Sequence, residues 1–203
     1  MCVILACPDN VRPNEQTLRN CERANPHGAG VAWRESGEVW WMKGLDAAEL
    51  SDLIGRIPGE IVIHFRWASV GEVTPKLCHP FPVTPCATTR LTGRARSVLF
   101  HNGTWAGWRE ALGRMPRHRI TDRLVSDSRV AASLVNYRGP QVLDRLPGRY
   151  AFFDREFTEL YGEWHDYGGI KVSNLHFLPL DEANVCQSST SGFWTFEDDE
   201  EPF

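Results

Sequence analysis

The sequence predicts an α+β protein in which mainly antiparallel sheets pack against helices. Strand-like apolar runs and hairpin signals come first, helical patterns follow in the middle of the chain, and strand-like runs return after residue 149. A regular alternation of strands and helices, which would indicate a parallel sheet, is missing from the pattern. With 203 residues, the chain is long enough for one globular domain with a substantial core.

The first elements follow from apolar runs and the turn residues between them. Residues 3–6 form a short apolar run that is typical of a buried strand. Residues 8–27 are rich in Pro, Asn, Arg and Glu, which predicts a loop with one helical turn. Two apolar runs on either side of Ser36-Gly37 predict a β-hairpin.

A helix and two buried strands come next. Asp46 and Glu49 have the spacing of a capping box, which predicts a helix over residues 47–54. Residues 61–67 are apolar on both faces of a strand, so we expect this strand in the middle of a layered structure. Residues 97–100 predict another strand, which ends directly in polar residues.

The second half of the chain combines helices with returning strands. Ser126 is the expected N-cap of a helix over residues 127–136. The other predicted elements are a loop over 75–85, a short helix over 105–112 and strands over 150–153, 157–161, 170–172 and 185–186. We predict a single domain over residues 1–196, followed by an acidic, disordered tail over residues 197–203.

Charge and cysteine content exclude several classes of protein. The net charge of −4 argues against general nucleic-acid binding. The segment 90–123 is nevertheless rich in arginine, which indicates either a solvated basic face or a docking face for an anionic partner. Its arginines are Arg90, Arg94, Arg96, Arg109, Arg114, Arg117, Arg119 and Arg123.

No secretory signal pattern and no membrane-spanning apolar stretch occurs in the sequence, so we expect a cytoplasmic protein with no membrane association. The six cysteines are scattered without a C-x-x-C pair, and we predict neither a metal site nor a cofactor. Apart from the two that could be reactive, Cys2 and Cys78, we expect them to be small buried apolar residues.

Cys2 is a candidate nucleophile. Removal of Met1 would leave Cys2 with a thiol and a free α-amino group, whose pKa of roughly 7.7–8.0 suits a base near neutral pH. That amine can take the thiol proton and return it to a leaving group.

Three polar motifs give such a nucleophile a site to act in. Asn102 and Gly103 follow a strand and offer two donors for a developing oxyanion, although Asn-Gly is also a common turn. Arg66 emerges from a buried strand and can clamp a carboxylate or form a structural ion pair. Asp127 at a helix N-terminus can bind an ammonium group or interact with the helix dipole. Together they describe a pocket for an amino acid with Cys2 facing its side-chain carbonyl.

On these residues the chain resembles the class II glutamine amidotransferase (glutaminase) domain of the N-terminal-nucleophile (Ntn) hydrolases. The resembling stretches, in the order of that family, are Met1-Cys2, residues 25–32, residues 64–71, His101-Asn102-Gly103, Ser126-Asp127-Ser128 and residues 148–152. The resemblance implies a four-layer αββα sandwich. It also implies that glutamine is hydrolysed to glutamate and ammonia through a thioester on Cys2.

The resemblance assigns further roles by position. It implies oxyanion stabilisation by Asn102 and Gly103, and substrate binding by Arg66, Trp67, Ser69 and Asp127. The chain departs from the family at Val70, where many members carry a second histidine. That departure leaves the closure over glutamine and its coupling to catalysis open.

Three functions remain as alternatives. The leading one is a glutaminase that passes ammonia to a synthase on a separate chain. The second is an Ntn amidohydrolase acting on another γ-glutamyl or acyl amide. The third is a catalytically silent binding module with the same fold, which a retained Met1 would favour. The negative net charge argues against nucleic acid as a partner, but the arginine-rich segment 90–123 does not exclude it.

Overall fold

The computed structural model describes residues 2–115 and 119–179. The predicted strand 185–186 and the predicted acidic tail lie outside these residues. The predicted domain boundary at residue 196 therefore stays a prediction.

Two antiparallel sheets form the centre of the structure. The larger sheet has the strand order β10-β11-β1-β4-β2-β3-β6, and the smaller one has the order β5-β7-β8-β9. The strands are β1 (Val3–Cys7), β2 (Ala29–Glu35), β3 (Glu38–Leu45), β4 (Ile61–Phe65), β5 (Phe81–Pro82), β6 (Thr92–Ala95), β7 (Ser97–Asn102), β8 (Arg149–Asp154), β9 (Thr158–Tyr161), β10 (His165–Tyr167) and β11 (Ile170–Val172).

Helices cover the outer face of each sheet. They are α1 (Glu15–Ala24), α2 (Ala47–Ile54), α3 (Trp108–Arg114) and α4 (Asp127–Arg138), with 3-10 turns at Pro75–Leu77 and Pro140–Arg145. The α2 helix has the predicted bounds, and Asp46 and Glu49 form the predicted capping box. The predicted N-cap of α4 is also confirmed, because the Ser126 side chain accepts a hydrogen bond from the Arg129 backbone N–H.

Three apolar layers separate the sheets and helices. Leu18 on α1 and Leu50 on α2 pack against one face of the larger sheet, together with Val3 and Leu5. Ile4, which lies between them in β1, packs on the opposite face. Ile4, Val62, Val98, Phe100 and Phe153 fill the space between the two sheets. The third layer lies between the smaller sheet and helices α3 and α4, around Leu99, Val130 and Phe152. The structure therefore has the expected four-layer αββα arrangement.

The prediction of a loop with one helical turn over residues 8–27 was wrong. A ten-residue helix, α1, begins after Asn14, whose side chain accepts a hydrogen bond from the Thr17 backbone N–H. Leu18 and Cys21 are buried on its inner face, and Glu15 pairs with Arg19 on the outside. The polar composition reflected the exposed face of an amphipathic helix rather than a loop.

Other element bounds differ in smaller ways. Strand β4 ends at Phe65, two residues earlier than predicted, and α3 begins three residues later at Trp108. The short strands β5, β6 and β10 were missed, because pairing with a neighbour rather than an apolar pattern defines them. Helix α4 is buried on nearly all sides over residues 127–135, not on one face alone.

The described arginines of the segment 90–123 do not all lie on one face. Arg94 lies on the edge strand β6, whereas Arg109 and Arg114 lie on α3 in the outer helix layer beyond the smaller sheet. Arg96 contacts Asp154, and Arg114 pairs with Glu110.

None of the helices in residues 2–115 and 119–179 has the length and apolar character that a membrane span needs.

The described cysteines are free thiols, and Cys7 and Cys21 are buried as predicted, whereas Cys86 is half-buried. Lys43 is an unexpected member of the interior and is only 2% exposed. Its Nζ donates to the Pro80 carbonyl at 3.4 Å and lies 4.3 Å from the centre of the Phe81 ring. Burial lowers the pKa of Lys43 to about 7.

We predict that replacing Lys43 by Met alters the pH dependence of stability. Between pH 7 and about 10.4 the unfolded chain holds a proton on this lysine that the folded chain has lost, so its contribution to stability rises with pH. Below pH 7 both states are protonated and the cost of burying the charge is complete. Denaturant unfolding of wild type and Lys43→Met at pH 7.5 and 9.5 should show a difference that changes by about 1.4 kcal/mol per pH unit.

Lys76→Met is the matched control, because Lys76 is exposed and its replacement should give a pH-independent difference. A Lys43→Met variant whose stability difference is the same at both pH values would contradict the burial of an ammonium group here.

Candidate active site

Cys2 lies immediately before β1, at the end of the larger sheet where β1 begins and the neighbouring strand β4 ends. Val3 is paired with Phe65, so the peptide after Phe65 passes beside the cysteine. The Trp67 backbone N–H donates to Cys2 Sγ at 3.2 Å, and the thiol lies 3.3 Å from the Trp67 carbonyl oxygen. The Cys2 side chain is therefore held in one orientation by the chain that follows Arg66.

Burial raises the pKa of the Cys2 thiol. The Trp67 N–H, the amino terminus at Met1 and the Arg66 charge lower it in part, and Asp127 raises it further. The resting thiol is therefore protonated at neutral pH, and its use as a nucleophile requires a base.

A small cavity of about 20 Å³ lies beside Cys2. Of the residues predicted for the site, it brings together Cys2, Arg66, Trp67, Ser69, Gly103 and Asp127. Sequence reasoning had missed His79, His101, Ser126 and Ser128 as lining residues. A larger groove of about 340 Å³ lies between α3 and α4, but its walls carry no cysteine or histidine. The chemistry therefore points to the smaller cavity.

Asn102 does not line this cavity. Its side chain is fully buried, and Nδ2 donates to Ser173 Oγ at 2.9 Å. An amide nitrogen carries two N–H groups, so a second donor is left after the bond to Ser173. The side-chain oxygen finds no hydrogen-bond partner within the described part of the chain.

Gly103 has a backbone conformation that excludes other residues. Its φ is 155°, and a Cβ there would lie 2.9 Å from the Gly148 Cα and 3.0 Å from His101 Nε2. A side chain would collide with the Gly148 backbone and with the His101 ring. The glycine thus leaves the backbone beside the cavity open to close approach.

Arg66 is buried, at 3% exposure, and its guanidinium is bound by backbone rather than by a carboxylate. Nη1 donates to the Glu72 carbonyl at 2.8 Å, and Nη2 donates to the Val70 carbonyl at 3.2 Å. Among the ion pairs of residues 2–115 and 119–179, none involves Arg66. The structural ion pair that the sequence left open is not found there.

Asp127 is the opposite charge across the cavity. It is also 3% exposed, and its carboxylate accepts hydrogen bonds from the backbone N–H groups of Trp105 and Ser128, both at 2.9 Å. No lysine or arginine of the described chain forms an ion pair with it. The first turn of α4 stabilises this carboxylate, as the sequence had allowed.

The two remaining predicted residues lie at the mouth. Trp67 is 46% exposed, and its ring lies 5.4 Å from the His27 ring. Ser69 Oγ is 2.9 Å from Thr104 Oγ1, which connects the segment after β4 to the segment after β7. Val70 contributes its carbonyl to Arg66, a contact that does not depend on its side chain.

Ser173 and Asn174 support the site from behind, and sequence reasoning had attached no chemistry to them. Ser173 Oγ accepts from the Ile4 backbone N–H at 2.9 Å and also from Asn102. Asn174 Nδ2 donates to the Cys2 carbonyl at 2.6 Å. They directly follow the apolar strand β11, so polar residues at a strand end were the signal that could have found them.

Within the described residues no group of three or more His, Cys, Asp or Glu side chains is arranged to hold a metal ion. No protein-family model matches the sequence, and no curated protein matches it.

Solved structures give a clear match to the fold. One is glutamine phosphoribosylpyrophosphate (PRPP) amidotransferase from B. subtilis complexed with ADP and GMP, with a TM-score of 0.59 and 17% identity. Another, described as the allosteric regulatory enzyme of purine biosynthesis, has a TM-score of 0.53 and 17% identity. Each match covers 85% of this chain but only 41% of the solved chain. The chain therefore has the Ntn-hydrolase fold found in PRPP amidotransferase, a class II glutamine amidotransferase.

Proposed function

We propose that the chain is a glutaminase of the glutamine amidotransferase type, which hydrolyses the side-chain amide of glutamine to glutamate and ammonia. One observation carries the proposal. Arg66 and Asp127 are buried opposite charges without ion-pair partners among the described residues, and both line the cavity beside the Cys2 thiol. Burying unpaired charges is costly, and an amino acid supplies a carboxylate for one and an ammonium for the other.

The chemistry begins with the amine that removal of Met1 would expose on Cys2. This amine takes the thiol proton, and the sulfur attacks the side-chain carbonyl carbon of glutamine. The carbon–nitrogen bond breaks as the amine returns the proton to nitrogen. Ammonia departs, and a γ-glutamyl thioester remains on Cys2. The amine then takes a proton from a water molecule as the water oxygen adds to the same carbon. The carbon–sulfur bond breaks as the amine returns this proton to sulfur, and glutamate is released.

The oxyanion formed in both steps needs donors that are already in place. The backbone at Gly103 lies on the cavity wall, and its conformation permits close approach of the substrate. The second N–H of Asn102 is the other proposed donor, because Ser173 holds the Asn102 amide in a fixed orientation. Each such donor is typically worth about 3–4 kcal/mol in the transition state.

Glutamine is much larger than the cavity of about 20 Å³, so binding requires the segment 67–72 to move outwards. The contacts that hold this segment suit such an exchange, because two of them are neutral carbonyls bonded to the Arg66 guanidinium. A substrate carboxylate would replace these carbonyls with stronger, charge-assisted hydrogen bonds. Trp67 and Ser69 move with the same segment and are the proposed further substrate contacts.

Ammonia release is useful when another protein consumes it. We propose that a synthase on a separate chain receives the ammonia. Cytoplasmic localisation remains a prediction from the sequence.

We predict that Cys2→Ala reduces ammonia release from glutamine to the uncatalysed background, since Cys2 is the one cysteine among the residues described as lining the cavity. The activity is measured as glutamine-dependent ammonia release by the purified chain with its partner present. Cys86→Ala is the matched control and should retain full activity, because Cys86 does not line the cavity.

Intact mass after treatment with a chloroketone analogue of glutamine should show that Met1 is absent and that the adduct is on Cys2. An adduct on Cys78 would overturn the assignment. A processed chain that binds glutamine without turnover would instead support the silent binding module.

We predict that Asp127→Asn raises the KM for glutamine by roughly 10- to 100-fold, because a charge-assisted hydrogen bond to the substrate ammonium is lost. The KM for a glutamine analogue that lacks the α-amino group should not change in this variant. Asp144→Asn is the control, since Asp144 is exposed and outside the cavity. Equal effects on both substrates would favour an amidohydrolase that acts on other acyl amides.

A further inference from the structure

His79 is a buried histidine whose ring makes no hydrogen bond within the described chain. The residue is 4% exposed, and neither Nδ1 nor Nε2 has a partner there. The ring lies 3.9 Å from the His64 ring and 5.2 Å from the Phe81 ring, measured between centres. These contacts fix the ring in position without using its nitrogens.

An unpartnered histidine is costly in a protein interior. A neutral imidazole has one donor and one acceptor, and each buried group left without a hydrogen bond destabilises the folded state. Burial holds the pKa of His79 well below its usual range, and the neighbouring His64, His101, Arg66 and Lys43 lower it further. The ring is therefore neutral at physiological pH and suited to hydrogen bonding rather than to carrying charge.

His79 lines the same cavity as Cys2, Gly103 and Asp127. The volume of about 20 Å³ is close to the roughly 10–15 Å³ that one water molecule needs. A molecule of that size therefore fits in the cavity that Cys2 and His79 both line. Because the two ring nitrogens point in diverging directions, one such molecule can bond to one of them.

We propose that His79 binds the small neutral molecule that exchanges at Cys2, which is the departing ammonia and then the water that replaces it. This role rests on the proposed function. Ammonia leaves when the carbon–nitrogen bond breaks, and the water oxygen then bonds to the same carbon as the carbon–sulfur bond breaks. Because both molecules occupy the same side of that carbon, one site serves both steps.

The neutral state of the ring suits this role. The unprotonated ring nitrogen of His79 accepts a hydrogen bond from an O–H or N–H of the bound molecule. No proton is transferred to the ring in either step, since the Cys2 amine carries the proton to nitrogen and later to sulfur. Ammonia held in this way remains an unprotonated nucleophile for the acceptor.

The kinetic test compares formation of the γ-glutamyl thioester with its hydrolysis. His79→Phe should slow hydrolysis by roughly 10- to 100-fold more than formation, so that γ-glutamyl-Cys2 accumulates in rapidly quenched samples and is seen by intact mass. His79→Gln retains a donor and an acceptor and should restore much of the hydrolysis rate. Phe81→Leu disturbs the packing of His79 without removing a polar group and should leave the ratio of the two steps unchanged.

An unchanged ratio in His79→Phe would overturn the proposal, as would equal accumulation of thioester in Phe81→Leu. Absence of ammonia release by processed wild type with its partner would refute the proposed function separately.

A second measurement does not depend on turnover. A crystal structure of the processed chain at near-atomic resolution should show one ordered molecule in the cavity. This molecule should lie within hydrogen-bonding distance of a His79 ring nitrogen and also contact Cys2. The proposed binding site would be overturned if each ring nitrogen were hydrogen-bonded to a protein atom, or if no ordered molecule were found there. To separate ammonia from water, ¹⁵N-histidine spectra are recorded above pH 9 with added ammonium chloride or sodium chloride. A shift of the His79 signal with ammonium alone is expected, and the absence of one would overturn ammonia as an occupant.

Discussion

The pairing of β1 with β4 is the constraint on which the candidate site depends. Val3 lies opposite Phe65, so Cys2 and Trp67 leave the larger sheet together and the Trp67 peptide bonds to the thiol. A shift of β1 by one residue in this register would turn Ile4 to the opposite face and move Cys2 away from Arg66. The packing on both sides of the sheet opposes such a shift, because Val3 and Leu5 would have to enter the layer between the sheets, which Ile4 helps to fill.

The second sheet completes the site from the other side. Strand β7 ends in Asn102, and the chain then turns at Gly103 toward α3. His101 faces α4 instead, where its Nδ1 lies 3.0 Å from Ser128 Oγ. Asp127 begins the same helix and is bonded to the Trp105 backbone, so the segment after β7 and the start of α4 are held together. The nucleophile and its proposed oxyanion donors therefore come from two different sheets whose packing sets their separation.

Much of this arrangement could be predicted from sequence because it depends on local patterns. The capping box at Asp46, the N-cap at Ser126 and the apolar strands each have a short-range signal. The polar residues at strand ends were also visible, and most of those singled out line one cavity. They are visible because a polar side chain directly after a buried strand conflicts with the core.

The missed features depend on contacts between distant residues. The α1 helix is stabilised by burial of Leu18 and Cys21 against the larger sheet, a contact that outweighs its polar composition. Asn174 bonds to the Cys2 carbonyl across 172 positions of sequence, which no local pattern reveals. The bond between Asn102 and Ser173 is equally non-local, and it places the Asn102 side chain behind the cavity rather than on its wall.

Three of the polar side chains that line the cavity lack either an ion-pair partner or any side-chain hydrogen bond within the described residues. Arg66 and Asp127 are buried without ion pairs, and His79 is buried without hydrogen bonds, in each case among the described residues. Stability alone would favour apolar replacements at all three positions. A sequence is expected to retain such destabilising groups where a ligand binds to them, since the bound ligand then stabilises the folded state. The two charges match the ends of an amino acid and one imidazole nitrogen matches a small neutral molecule, so one substrate and its leaving group would contact all three side chains.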